Sequence, residues 1–128
     1  VDKINGLSNI HILPPMNRDN ILDYYYRAKY TMIHLNKNQA FMKVLPSKMV
    51  ELGAIDRPIL GGIDGYASEF AIKNVKECLI VKPGDFAEAA SLIRNHNYVP
   101  IFREKFKKKY SRLCINDKMA ESILTYIQ

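Results

Sequence analysis

The chain has 128 residues, roughly half of them apolar and a quarter charged, with 19 Lys and Arg against 13 Asp and Glu and a net charge of +6. That length suits one domain with a core that needs no disulfide or metal staple, and no apolar run is long enough to span a bilayer. The positive balance favours a polyanionic partner: nucleic acid, an acidic protein or an anionic membrane surface.

Residues 1–17 read as a lead-in, in which Asn9–Leu13 has the pattern of a short strand closed by Pro14-Pro15. From Asp19 to Asn36 the steps between Ile21, Tyr25, Ala28, Met32 and Leu35 predict one helix, capped by Asn17 or Asp19. Ala40–Leu45 is readable as a strand or a helical turn. Ser47 then caps a short helix through Leu52 that Gly53 ends. Pro58, Gly61, Gly62 and Gly65 mark 55–65 as a loop or kinked strand.

Val75–Val81 is strongly β-prone, and Pro83-Gly84 closes it. Asp85 caps a helix to Asn95, and Tyr98–Phe102 resumes as a strand. Strand, helix and strand in this order predict a βαβ unit with two parallel strands. Beyond it, Phe102, Phe106, Tyr110 and Leu113 fall within about 80° of one another on a helical wheel. A last amphipathic helix runs from Asn116 to Ile127. The expected fold is α/β, with a small central sheet, a βαβ unit and flanking helices in a single domain over residues 1–128.

Three side chains carry candidate chemistry. Asp64, inside Gly62-Ile63-Asp64-Gly65, is a carboxylate presented by flexible backbone and suited to a divalent cation. Lys82 leaves an apolar strand, where an ammonium can steady a phosphate or a developing oxyanion. Glu51 lies on the short helix upstream. The order of Glu51 on a helix, Asp64, and a strand ending in Lys82, followed by a helix and a strand, resembles the core of the PD-(D/E)xK nucleases over residues 47–103. The resemblance implies that Glu51 and Asp64 hold Mg or Mn and that Lys82 orients the attacking water or the scissile phosphate. Ile80 stands where that family carries an acid or amide two residues before the lysine.

No phosphate-loop or dinucleotide glycine motif occurs, and no GxSxG elbow. Cys78 and Cys114 show no zinc spacing. The densest positive charge is Arg103, Lys105, Lys107, Lys108, Lys109 and Arg112, opposed within that stretch by Glu104 alone. These six side chains are the candidate nucleic-acid contacts. The leading expectation is nucleic-acid binding through the basic segment; metal-dependent phosphodiester cleavage at Asp64, Glu51 and Lys82 is the more specific hypothesis within it. The alternatives are a module that binds an acidic protein, and an enzyme acting on a phosphorylated or acidic small molecule in a cleft near Lys82. The sequence shows no secretory or transit signal, so the expected setting is the cytoplasm or a larger protein of which this is a fragment.

Overall fold

A computed structural model describes residues 7–127. Residues 1–6 of the expected lead-in lie outside the described residues, and Asn9–Leu13 forms no strand. The first helix, α1, spans Arg18–Arg27, and its N-cap Asn17 accepts a hydrogen bond from the Asn20 amide at 2.9 Å. It stops nine residues short of the expected Asn36. The guanidinium of Arg57 donates to the carbonyls of Tyr26 and Ala28, satisfying groups at the helix end. The chain then turns extended, and Thr31–His34 forms strand β1.

A 3-10 turn over Gln39–Lys43 follows, then α2 at Ser47–Gly53, which starts after Pro46. The glycine-rich stretch expected to be a loop or kinked strand contains β2, Ile59–Gly62. Helix α3 spans Gly65–Asn74 and β3 spans Cys78–Val81. Helix α4 covers Phe86–Asn95, with Asp85 accepting from the Glu88 amide at 3.0 Å as expected of its cap. Helices α5, Glu104–Lys109, and α6, Arg112–Ile127, complete the chain.

The three strands form one parallel sheet in the order β1-β2-β3. Thr31 lies beside Ile59, and Ile59 beside Cys78, so β2 is central and β3 is an edge. The fold is α/β with a small sheet and flanking helices. Its parallel pairs are made by the α2 and α3 crossovers, and the βαβ unit expected over 75–102 does not form. Tyr98–Phe102 runs without regular structure and is held by burial of Ile101 and Arg103, at 2% and 3% exposure.

Ile33, Ile59 and Ile80 meet Met49, Leu52, Ala67, Phe70 and Ala71 on one side of the sheet, and Phe106 closes that core. Phe70 and Tyr110 pack edge-on at 5.4 Å, and Phe106 lies 4.5 Å from Tyr110. The aromatic face expected over 102–113 is therefore half realised. Phe102 and Leu113 are exposed: Phe102 precedes the start of α5 at Glu104, and Leu113 lies beyond the break between α5 and α6 at Tyr110 and Ser111.

Candidate functional site

All three strands point the same way, so the loops that leave them converge at one end of the sheet. The ladder reaches that end. The Leu35 amide donates to the Gly62 carbonyl at 3.0 Å, and the Ile63 amide to the Val81 carbonyl at 3.1 Å. Beyond these bonds lies a cleft of about 990 Å³ lined by residues 35–43, Asp64, Lys82 and Pro83. Its walls come from the exits of β1, β2 and β3 respectively. Open parallel sheets bind ligands beyond the carboxyl ends of their strands, usually where the strand order reverses; the order β1-β2-β3 has no reversal, and the crevice here is made by the wall that follows β1. The volume lies in the range of small-molecule pockets, about 300–1,000 Å³.

Each charged side chain here has a local reason for its place. Asp64 is the extended residue before α3, and its Oδ1 accepts from the Gly65 amide at 2.7 Å. Lys82 is the first residue after β3. Its carbonyl accepts from the Asp85 amide at 3.0 Å, closing the tight turn that carries Gly84 at φ 89. Lys37 and Lys43 belong to the wall that follows β1. Three lysines against one aspartate leave the lining with a net charge of +2.

The structure thus brings Asp64 and Lys82 to one cleft, while Glu51 is not among the lining residues. Glu51 accepts a 2.7 Å bond from Lys48 on its own helix, and Lys48 also donates to the Tyr25 hydroxyl at 3.1 Å. Those hydrogen bonds hold the Lys48 ammonium above its ordinary pKa. Among the described residues, no group of three or more His, Cys, Asp or Glu is placed to hold a metal ion. Of the residues assigned to Mg or Mn, Asp64 alone faces the cleft.

The basic segment lies at the other end of the sheet. Arg103 donates to the carbonyls of Ile55 and Lys76, which precede β2 and β3. Burial lowers its pKa from the ordinary value. Lys107 is paired with Asp56 at 2.6 Å and Glu104 at 2.9 Å, and these bonds raise its pKa. Lys109 donates to Asn74 and lies over the Tyr110 ring. Lys105, Lys108, Lys109 and Arg112 are exposed. Two of the six candidate contacts are therefore committed to holding α5 on the body, and four present charge to solvent.

Lys37, Asn38 and Lys43 were not singled out from sequence. Their signal is position: they follow a strand of a parallel sheet. That signal appears only once Thr31–His34 is read as a strand. No protein-family profile, curated protein or solved structure matches this chain. Among the described residues, no helix is long and apolar enough to cross a membrane.

Proposed function

We propose that this domain binds a phosphate-bearing small molecule in the cleft across the carboxyl ends of its three strands. The observation that carries this reading is the convergence of Lys37, Lys43, Lys82 and Asp64 on one cavity, from the loops after all three strands. Lysines act as point charges on phosphate oxygens. Asp64 supplies the opposite chemistry, accepting from ligand hydroxyls or holding a cation that bridges to the phosphate. Asn36, Asn38 and Gln39 add neutral donors and acceptors along the same wall.

Titration calorimetry with inorganic pyrophosphate, with and without Mg²⁺, tests the reading. Binding by the parent protein should weaken by about tenfold or more in Lys82→Ala, the scale of one charge-assisted contact. Asp64→Asn should remove any Mg²⁺ dependence. Absence of pyrophosphate binding by the parent protein would sink the proposal.

A second reading keeps one specific observation. Lys105, Lys108, Lys109 and Arg112 form an exposed cationic cluster, which suits nucleic acid or an acidic protein. Retardation of DNA or RNA in a gel, lost when Lys105, Lys108 and Lys109 become Glu, would favour it. Strand cleavage that needs Mg²⁺ or Mn²⁺ and is lost in Asp64→Asn would extend it to a nuclease. That activity would require the nucleic acid to reach from the amino end of the sheet to the carboxyl end, about 13 Å for a four-residue strand.

A further inference from the structure

The wall of the cleft between β1 and α2 contributes nothing to the core. Every residue from Asn36 to Val44 is exposed. Its 3-10 turn is stitched internally: Asn38 Oδ1 accepts from the Ala40 amide at 2.9 Å, Phe41 donates to the Asn38 carbonyl at 3.0 Å, and Val44 to the Phe41 carbonyl at 3.3 Å. Those bonds shape the turn but do not anchor it. The turn packs on α3, and its backbone comes closest to that helix at Gly65, the first residue, against Met42.

Gly65 has φ 59, a conformation side chains rarely adopt. A Cβ on Gly65 would also collide with the Met42 carbonyl oxygen and stand 2.9 Å from the Met42 carbonyl carbon and Cα. The obstacle is backbone, so it cannot swing away as a side-chain tip would. Two independent conditions therefore demand glycine at the residue that follows Asp64.

We propose that Gly65 is a positioning residue of the cleft: by admitting the Met42 backbone against the first turn of α3, it sets where Lys43 and its wall stand relative to Asp64 and Lys82. The functional consequence rests on the cleft being the phosphate site. The seating of the wall does not.

Gly65→Asn is the informative variant, because Asn tolerates positive φ and so isolates the collision from the backbone strain. Gly84→Asn is its control. That residue also has positive φ, at 89, but open space where a Cβ would lie. Hydrogen exchange should quicken at Ala40–Val44 in Gly65→Asn and not in Gly84→Asn. Pyrophosphate should bind about tenfold more weakly to Gly65→Asn than to the parent protein. Parent-like exchange or parent-like affinity in Gly65→Asn overturns the proposal.

If Gly65→Asn does not fold, exchange in the parent protein decides. The amides of Phe41 and Val44 must be protected, and exchange at free-chain rates overturns the proposal. If the parent protein fails to bind pyrophosphate, the phosphate reading falls, and the exchange comparison still supports or refutes the seating of the wall.

Discussion

A buried guanidinium whose donors are turned onto backbone carbonyls is not presented to a phosphate. Arg103 is in that state, 3% exposed and bonded to the carbonyls of Ile55 and Lys76. Its charge lies next to Lys105 and Lys107 in sequence, and composition alone cannot separate a buried tether from an exposed contact. The distinguishing partners are 27 and 48 residues away. Phe106 and Tyr110, by contrast, were legible, because the spacing that marks a helix face also marks what that face buries. Arg103→Met should leave the Lys76 carbonyl without a donor, whereas the Ile55 carbonyl keeps the Arg57 amide, and it should destabilise the domain by about 1–3 kcal/mol, the cost of one buried carbonyl without a partner. Urea unfolding measures this directly. A fully stable variant with impaired nucleic-acid binding would return Arg103 to the list of phosphate contacts.

At the scale of elements, one strand was hidden from the sequence and a second was legible only as one of two alternatives, for different reasons. Thr31–His34 extended a helical periodicity begun at Ile21, and the interruption comes from Arg57, which reaches back to the carbonyls of Tyr26 and Ala28. Ile59–Gly62 carries two glycines that ordinarily weaken a strand, yet it is the central one. The glycines serve its neighbours: a Cβ on Gly61 would lie 2.7 Å from Ile80 Cδ1, and one on Gly62 would meet the His34 ring that stacks on Phe86. Asp85 and α4 were legible because cap and periodicity agreed within one short window. Gly61→Val tests which force governs β2. Strand propensity alone favours valine, whereas overpacking against Ile80 and Ile63 should destabilise by about 1–3 kcal/mol. A thermal midpoint at or above that of the parent would show that the core has room there.

Over the whole molecule, the sheet separates two chemistries. The cleft occupies the carboxyl ends of the strands, and the amino ends are closed by α5 through Arg103 and the Lys107–Asp56 pair. The sequence could show neither separation, since Asp64 and Lys82 on one side and Arg103 on the other become opposite only when all three strands run parallel. The amino end also holds two groups that tie stability to pH. Burial pushes the Cys78 thiol from 9.0 up to about 11, against a smaller opposing pull from Arg103. Hydrogen bonds to Asp56 and Glu104 hold the Lys107 ammonium above 10.5. In both cases the folded protein keeps its proton more tightly than the unfolded chain does. Their contribution is therefore complete below the unfolded values and lost as pH rises through the folded ones. Cys78 acts first, so the thermal midpoint should fall between about pH 9 and pH 11, and Lys107 should prolong the fall above 10.5. Cys78→Ala removes the earlier component, and its midpoint should decline less over that interval than the parent's. Identical declines in the two proteins would show that the thiol does not sense folding. Pyrophosphate affinity measured in parallel on folded protein should be the same in Cys78→Ala and the parent across that interval, because Cys78 belongs to the end of the sheet away from the cleft.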